Sequence, residues 1–316
     1  MIFSLLSIAL GLILLIGGGE LLLRSAVRIA HGLKLTPAVI GLTVVAAATS
    51  VPELAVSVGA AFSGKTDIAM GNVVGSNIAN IALILGLSAL IRPLGVTGNM
   101  IRLEYPVMWL VSFLLFVLVQ DGSVSHLDSL FMIVFYLLFT AYLIGLVRTQ
   151  LKSSENTELS AEVEELNAKG SLVAALGLVV VSIALLAAGA EFTVYGAVEI
   201  ARIFGISERI IGLTIVAVGT SLPEIVASTI SAYRGRGDIA IANIVGSNIF
   251  NILGILGLSG LATSIPVNQQ IAHSDILWML GISTVLFPIM HSKLQISRKE
   301  GGFLIAVYGV YLAGLL

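Results

Sequence analysis

The sequence lacks cysteine and is poor in charged residues. None of its 316 residues is cysteine, and only 11% are charged, whereas soluble domains carry about 25%. The absence of cysteine excludes disulfides, iron–sulfur clusters and cysteine-ligated zinc, and the four histidines lie apart in the chain. Neither a sulfur-ligated nor a clustered imidazole metal site is therefore expected.

Apolar residues dominate instead, at 57% of the chain, with a mean hydropathy of +1.06. A transmembrane helix needs about 20 consecutive apolar residues. Ten stretches come close to this length: 3–24, 37–62, 68–92, 103–120, 127–148, 171–193, 209–233, 239–262, 275–291 and 300–316. The sequence therefore predicts an all-α integral membrane protein with ten transmembrane helices.

The placement of lysine and arginine predicts the orientation. If the N-terminus lies outside and ten helices cross, only Lys65, Arg202 and Arg209 of the 16 basic residues fall outside. The other basic residues then satisfy the positive-inside rule. The first apolar stretch lacks a preceding basic region and a small-residue cleavage pattern, so it reads as helix 1 rather than a signal peptide. We expect a multi-pass protein of the cell (inner or plasma) membrane with both termini outside.

The two halves of the chain repeat each other. Residues 40–91 and 211–262 align without gaps at a constant offset of 171. Eleven polar positions are identical in both: Thr43, Thr49, Ser50, Glu53, Ser57, Asp67, Asn72, Ser76, Asn77, Asn80 and Ser88 recur as Thr214, Thr220, Ser221, Glu224, Ser228, Asp238, Asn243, Ser247, Asn248, Asn251 and Ser259. Five predicted helices precede the second half, so the halves enter the membrane in opposite directions, as in secondary transporters with inverted repeats. The predicted units are a five-helix repeat at 1–148, an acidic cytoplasmic linker at 149–170 and a second five-helix repeat at 171–316.

Two glutamates lie near the middle of apolar stretches. An ionisable group at the position of Glu53 or Glu224 costs about 2.5–3.5 kcal/mol on insertion scales, and no lysine or arginine lies at comparable depth in the ten stretches. A bound cation or a proton is therefore the expected counter-charge. A protonated glutamate that is hydrogen-bonded between helices is the alternative.

Oxygen-bearing side chains share helix faces with these glutamates. Residues at spacings of three and four meet on one face of a helix, and the sequence has Thr49, Ser50, Glu53 and Ser57, then Thr220, Ser221, Glu224 and Ser228. Two further stripes step by four: Asn72, Ser76, Asn80 and Asn243, Ser247, Asn251. Ca2+ takes six to eight oxygen ligands. Interhelical hydrogen bonding is the alternative role for the threonines and the outer asparagines.

Prolines, glycines and aspartates add local predictions. Pro52 and Pro223 lack an N–H one residue before the glutamates, which predicts a kink and free carbonyls at Ala48 and Gly219. Close helix packing is predicted at Gly71, Gly75, Gly86, Gly246, Gly254 and Gly257. Asp67 and Asp238 follow short turns and are predicted to be helix N-caps.

Two motif pairs carry a family resemblance: ATSVPEL (48–54) with GNVVGSNIANI (71–81), and GTSLPEI (219–225) with ANIVGSNIFNI (242–252). They resemble the alpha-repeats of the calcium/cation antiporter superfamily, in its prokaryotic sodium/calcium exchanger branch, over nearly the whole chain. The resemblance implies an antiporter that exchanges Na+ for Ca2+ by alternating access, and no enzymatic activity. It also implies the ion ligands Glu53, Glu224, Thr49, Thr220, Ser50, Ser221, Ser76, Ser247, Asn80 and Asn251, with the carbonyls of Ala46 and Ala217.

The same resemblance bears on cofactors, partners and subtype. We expect no cofactor besides the transported Ca2+ and Na+, and no nucleic-acid or protein partner besides the lipid bilayer. Asn251 stands where potassium-dependent relatives carry an aspartate, which argues against potassium dependence. Proton/calcium exchangers lack the TS-x-PE hydroxyl pair, which favours Na+ as the counter-ion.

Other functions are weaker alternatives. A proton-coupled Ca2+ antiporter and a Ca2+ channel both fit the polar stripes. The GRGD sequence at 235–238 matches the GxGD pattern of membrane aspartyl proteases, but no second catalytic aspartate lies within an apolar stretch.

Two carboxylates give an empty site a charge near −2, which hinders movement through hydrocarbon. The sequence therefore predicts obligate, electrogenic exchange.

Overall fold

The computed structural model of the chain describes residues 1–33, 35–153, 171–205 and 217–315. Most of the predicted linker at 149–170 and the first residues of the second repeat motif, including Thr214, lie outside the described residues.

The described chain is helical almost throughout. Its helices are α1 (Ile2–Leu33), α2 (Pro37–Thr49 and Val51–Phe62), α3 (Thr66–Ile91), α4 (Met100–Asp121), α5 (His126–Ser153), α6 (Leu172–Ile203), α7 (Ala217–Thr220 and Leu222–Tyr233), α8 (Gly237–Ala262), α9 (Ile271–Lys293) and α10 (Arg298–Leu315). Two-residue strands lie in the connections: β1 (Leu94–Gly95), β2 (Ser123–Val124), β3 (Ile265–Pro266) and β4 (Gln295–Ile296). The antiparallel pairs are β1 with β4 and β2 with β3.

Seven described helices are long and apolar enough to cross a membrane, namely α1, α3, α4, α5, α6, α8 and α9, and the bent α2 makes an eighth. The predicted stretch 209–233 lies partly outside the described residues. The predicted stretch 300–316 falls in α10, an 18-residue helix that begins with Arg298, Lys299 and Glu300. The chain is therefore a multi-pass helical membrane protein, as its composition predicts.

Helices α1 and α6 are longer than their apolar stretches. Each has 32 residues, which at 1.5 Å per residue gives a length of about 48 Å against a hydrocarbon core of about 30 Å. They pack antiparallel through glycines: a Cβ on Gly11 would lie 2.7 Å from the carbonyl oxygen of Gly189, and one on Gly18 would lie 3.0 Å from Leu186. Only very small residues allow this approach.

Helices α3 and α8 form the centre of the molecule and are mostly buried, whereas α1 and α6 are largely exposed. A Cβ on Gly246 of α8 would clash with the carbonyl of Leu42, so the packing prediction holds there, and Gly86 and Gly257 also meet other helices. The prediction is wrong for Gly71 and Gly75, where a Cβ would meet no atom within 4 Å.

Both glutamate-bearing helices are broken one turn before the glutamate. The two segments of α2 meet at 49°, at Ser50 with φ −83° and ψ 13°, which confirms the kink predicted there. Helix α7 breaks at the equivalent Ser221, with φ −89° and ψ 8°. Each proline is the second residue of the segment that follows the break, where its missing N–H costs little.

The N-cap prediction for the two aspartates is wrong. The N-cap positions are Lys65 and Arg236, and Asp67 and Asp238 lie inside the first turn instead. An acidic side chain in the first turn interacts favourably with the helix dipole. Asp238 also forms an ion pair with Arg236 at 2.8 Å.

Candidate ion-binding site

The two helix breaks place Glu53 and Glu224 in equivalent positions. Each is the third residue of the segment that follows its break, and each side chain is only 1% exposed. The first turn of a helix carries unpaired N–H groups and the positive end of the dipole. The breaks therefore give both carboxylates a local environment that tolerates negative charge.

Hydrogen bonds cross between the two halves at this point. The Ser50 hydroxyl donates to Glu224 Oε1 at 2.9 Å, and the Ser221 hydroxyl donates to Glu53 Oε1 at 3.1 Å. Each break serine thus holds the glutamate of the opposite half. The two helix breaks and the two glutamates consequently form one connected group at the centre of the molecule.

The remaining carboxylate oxygens have no partner. Glu53 Oε2 and Glu224 Oε2 are buried without a hydrogen bond, and so are Ser247 Oγ, Asn80 Oδ1 and Asn251 Oδ1. Carboxylate and amide oxygens can only accept hydrogen bonds, and a buried acceptor without a hydrogen bond costs free energy. No lysine or arginine in the described part of the chain forms an ion pair with either glutamate. Such a set of oxygens suits a cation.

The donor set contains few formal charges. No group of three or more His, Cys, Asp or Glu side chains that could hold a metal occurs among the described residues. Any cation at this site would therefore be bound by two carboxylates together with neutral hydroxyl, amide and carbonyl oxygens, which is the chemistry that Ca2+ and other hard cations accept.

The other predicted ligands lie on the same elements. Thr49 is fully buried, and its hydroxyl lies 3.4 Å from Asn243 Oδ1 and 3.3 Å from the carbonyl oxygen of Ala46, either of which can accept its single proton. The Ala46 carbonyl also accepts from the backbone N–H of Ser50 at 3.1 Å. When the Thr49 proton points to Asn243, one lone pair of the Ala46 carbonyl oxygen stays open to an ion.

Three more predicted ligands lie on the site helices. Ser76 on α3 is 6% exposed. Thr220 lies in the short first segment of α7 and is partly exposed. Ala217 is the first described residue of α7, and only its place in the helix is described.

The outer asparagines hold helices together. Asn72 Nδ2 donates to Ser57 Oγ at 2.9 Å, and Asn243 Nδ2 donates to Ser228 Oγ at the same distance. These bonds join α3 to α2 and α8 to α7. Interhelical hydrogen bonding, the alternative considered for these asparagines, is therefore what the structure shows.

Two further buried asparagines were not assigned a role from the sequence. Asn77 and Asn248 lie between α3 and α8 and hydrogen-bond the amides of Asn251 and Asn80. Neither asparagine belongs to the polar stripes that recur every four residues on these helices. Their identical recurrence at the offset of 171 is the signal that could have found them.

The helices widen at the inner asparagines. Asn80 begins a π-helical turn, Asn80–Ile84, and Asn251 is the second residue of the π-helical turn Phe250–Leu256. Such wide turns occur frequently at functional sites in helices.

Comparison with known proteins agrees with the duplicated polar pattern. The family described as "Sodium/calcium exchanger protein" matches residues 3–145 and 174–316, one match in each half. The chain belongs to the sodium/calcium exchanger family. The family's pattern thus covers both glutamate-bearing segments of this exchanger-family chain.

Individual relatives of this exchanger-family chain match over its whole length. Inner membrane protein YrbG of Escherichia coli (strain K12) is 34% identical over 96% of this chain and 94% of its own length. Sodium/calcium exchanger MaX1 of Methanosarcina acetivorans is 32% identical over 98% of this chain and 97% of its own. A solved structure of the sodium-calcium exchanger NCX_Mj superposes with a TM-score of 0.84 and 31% identity, covering 100% of this chain and 99% of that one.

Proposed function

We propose that this protein carries Ca2+ across the membrane in exchange for Na+, at one site built around Glu53 and Glu224. One observation carries the proposal: two buried carboxylates from the two halves are held together by crossed serine hydrogen bonds, and each keeps one oxygen without a partner. The family membership and the name of MaX1 support the same ions.

The charge of the site favours a divalent cation or several monovalent ones. Two ionised carboxylates in a buried site repel each other and lack a basic partner, so their net charge is near −2 until a cation binds. One Ca2+ or two Na+ neutralise that charge, and a third Na+ leaves a single positive charge. A loaded site therefore moves less charge through hydrocarbon than an empty one of charge near −2, which couples the two fluxes.

The proposed ligands are the carboxylates of Glu53 and Glu224 with neutral oxygens on the four site helices. The neutral donors are Thr49, Thr220, Ser50, Ser221, Ser76, Ser247, Asn80 and Asn251, with the carbonyls of Ala46 and Ala217. The unpartnered oxygens of Ser247, Asn80 and Asn251 support this assignment most directly. We assign the chain no catalytic activity, resident cofactor, nucleic-acid partner or protein partner.

We further propose ten transmembrane helices arranged as two inverted five-helix repeats. Contacts between connections support it, since two connections separated by an even number of crossings lie on the same face. The β1–β4 pair joins connections separated by six helices, and the β2–β3 pair joins connections separated by four. The antiparallel packing of α1 on α6 also fits, because equivalent helices of inverted repeats run in opposite directions.

The orientation follows from the same arrangement. Arg24 in the last third of α1 and Arg234 directly after α7 both pair with Glu20, so the C-terminal parts of these two helices share one face. Arg298 at the start of α10 donates to the carbonyl of Ile91 at the end of α3. The positive-inside rule assigns this arginine-bearing face to the cytoplasm, which leaves both termini outside the cell membrane. Helices α1 and α6 would move against the site helices during alternating access.

Vesicle flux tests the proposed function. The purified protein is reconstituted, and uptake of radiolabelled Ca2+ is measured under separate outward gradients of Na+, K+ and H+. Uptake driven by Na+ alone is expected. Uptake driven only by H+ would identify a proton-coupled antiporter, and uptake without any outward gradient would identify a channel.

A further inference from the structure

Asn77 and Asn248 lie outside the proposed ligand set yet are among the most buried polar residues of the molecule. Their exposures are 0% and 1%, and they occupy equivalent positions in the two halves. Asn77 precedes Asn80 by three residues on α3, and Asn248 precedes Asn251 by three on α8. Residues three apart share a helix face, so each lies beside a proposed ligand.

The four asparagines are joined by hydrogen bonds that cross between α3 and α8. Asn80 Nδ2 donates to Asn248 Oδ1 at 2.9 Å, and Asn251 Nδ2 donates to Asn77 Oδ1 at 3.0 Å. Each proposed ligand amide is therefore held by an asparagine of the opposite half.

Neighbouring atoms that can only accept hydrogen bonds fix the orientation of the Asn77 and Asn248 amides. Asn248 Nδ2 donates to the carbonyl of Asn77 at 3.4 Å and faces the sulfur of Met108 at 3.7 Å. Asn77 Nδ2 donates to the carbonyl of Asn248 at 3.3 Å and faces the sulfur of Met279 at 3.7 Å. Neither a carbonyl oxygen nor a thioether sulfur can donate. Flipping the amide of Asn77 or Asn248 would set its oxygen against two acceptors.

The orientations of Asn77 and Asn248 in turn set those of the Asn251 and Asn80 amides. With their N–H groups facing Asn248 and Asn77, the oxygens of Asn80 and Asn251 remain buried and unpartnered. A rotated inner amide would present N–H donors to a cation and repel it. We propose that Asn77 and Asn248 are positioning residues that keep the oxygens of Asn251 and Asn80 directed at the transported cation. The inference rests on the proposed function, because it takes the inner asparagines as ligands.

Alanine substitutions test the two positioning residues separately. Asn77→Ala frees the amide of Asn251, and Asn248→Ala frees the amide of Asn80. Each is expected to raise the apparent KM for Ca2+ in Na+-driven uptake by at least about tenfold, the usual effect of losing an interaction with a charged group. The maximal rate at saturating Ca2+ should change much less.

A carboxylate at position 251 separates positioning from packing. It offers an oxygen to the cation whichever way it turns, so it no longer needs Asn77 for direction. In the Asn251→Asp background, Asn77→Ala should change the KM by less than about twofold, the scatter of independent sites. Asn248→Ala acts through Asn80 and should keep its full effect in that background.

Matched controls are available on the same helices. Ser88 of α3 and Ser259 of α8 are fully buried and paired by the repeat, and Ser88→Ala and Ser259→Ala should leave the KM unchanged. Asn77→Leu and Asn248→Leu keep the volume and replace the alanines if those do not elute as a single folded species in detergent.

The outcomes are separable. Equal KM effects of Asn77→Ala with asparagine or aspartate at 251 would reduce it to a packing residue, and wild-type KM values in both single variants would overturn the inference outright. A wild-type protein without Na+-driven Ca2+ uptake would overturn the proposed function itself, and with it the ion-facing role of Asn80 and Asn251.

Discussion

At the residue scale, the two glutamates pose an electrostatic problem that a bound cation would solve. Each is 1% exposed, and each receives a serine hydroxyl on one oxygen while the other oxygen has no partner. Removing one partner of a buried charge normally destabilises a protein, because an uncompensated charge remains. Neither glutamate has a basic partner among the described residues. The unloaded site is therefore expected to lower the stability of the fold.

Neutralising either glutamate should therefore abolish transport without harming the fold. Glu53→Gln and Glu224→Gln keep the side-chain shape but remove a ligand charge, so each is expected to eliminate Na+-driven Ca2+ uptake. The melting temperature without ions should stay the same or rise, because a buried charge is lost.

Thermal unfolding checks the second half of that prediction. Saturating Ca2+ should raise the wild-type melting temperature, since a ligand at 100 times its Kd contributes about 2.7 kcal/mol, and should have no such effect on the variants. Full Ca2+ flux in either glutamine variant would refute the assignment of the site.

Asn251 is the residue at which cation preference should change most. Asn251→Asp adds a third carboxylate and is expected to alter the dependence of uptake on Na+, K+ and pH more than Asn251→Ala does. The comparison is made by measuring Ca2+ uptake across the three conditions for both variants. Identical behaviour of both variants and the wild type would make Asn251 a packing residue.

Residue identity was readable from the sequence, whereas hydrogen-bond direction was not. The repeat singled out Glu53, Glu224 and the inner asparagines because polar groups at membrane depth are costly. Spacing alone could not show that Ser50 reaches across to Glu224, or that Ser221 reaches across to Glu53. Those facts depend on how helices from opposite halves meet.

At the element scale, one ionic link connects the long helix α1 to the site helices. Arg234 at the end of α7 forms an ion pair with Glu20 of α1 at 3.0 Å, and Arg24 shares the same carboxylate at 2.8 Å. Exposed pairs of this kind contribute about 0–1 kcal/mol. The link is too weak to hold the fold, but it is strong enough to bias an equilibrium between two conformations.

Glu20→Gln should therefore change transport more than stability. If α1 slides along α7 during transport, the Glu20–Arg234 contact forms in one conformation and breaks in the other. The ratio of the Ca2+ KM values measured on the two sides of the vesicle should shift by up to about fivefold, as 1 kcal/mol allows, with little change in melting temperature.

A second ion pair supplies the control for this link. Glu199 and Arg202 lie three residues apart within α6 and form an ion pair at 2.9 Å between neighbouring turns of that helix. Glu199→Gln should leave the ratio of KM values unchanged. An equal shift in both variants, or in neither, would show that the Glu20 link does not report movement of α1.

Helix existence was predictable from apolar runs, but helix ends were not. Helices α1 and α6 continue beyond their apolar stretches for about ten residues each, because a helix can leave the hydrocarbon and still satisfy its own backbone hydrogen bonds. The N-cap prediction for Asp67 failed for a related reason: an aspartate two residues into a helix has the same sequence signature as one at its boundary.

At the scale of the whole molecule, the duplication determines what the sequence can reveal. The constant offset of 171 links not only the motifs but also Met108 with Met279, whose sulfurs face Asn248 and Asn77. Inside the apolar stretches the sequence drifts, so these distant equivalences become visible only in the packed structure. The serine–glutamate and asparagine–asparagine bonds of the site both recur with their partners exchanged between the halves.

The whole-molecule prediction is that transport is electrogenic and strictly coupled. If more than two Na+ are exchanged for each Ca2+ on the same pair of carboxylates, each cycle moves net positive charge with the Na+. An inside-positive potential imposed while Na+ leaves the vesicle should therefore speed Ca2+ uptake. For one net charge, about 60 mV should change the equilibrium Ca2+ ratio tenfold, from 2.3 kcal/mol per charge per 100 mV. Radiolabelled Ca2+ uptake with the potential clamped measures both effects.

Strict coupling is tested by a separate efflux measurement. An unloaded site of charge near −2 should not reorient across the membrane. Removing both Na+ and Ca2+ from the far side should stop the efflux of whichever of the two ions the vesicles contain. Undiminished Ca2+ efflux into a buffer without exchangeable cations would indicate a channel or uniporter. Exchange that is coupled but insensitive to the imposed potential would instead indicate two Na+ per Ca2+, because only that ratio lets the two carboxylates carry equal charge in both directions.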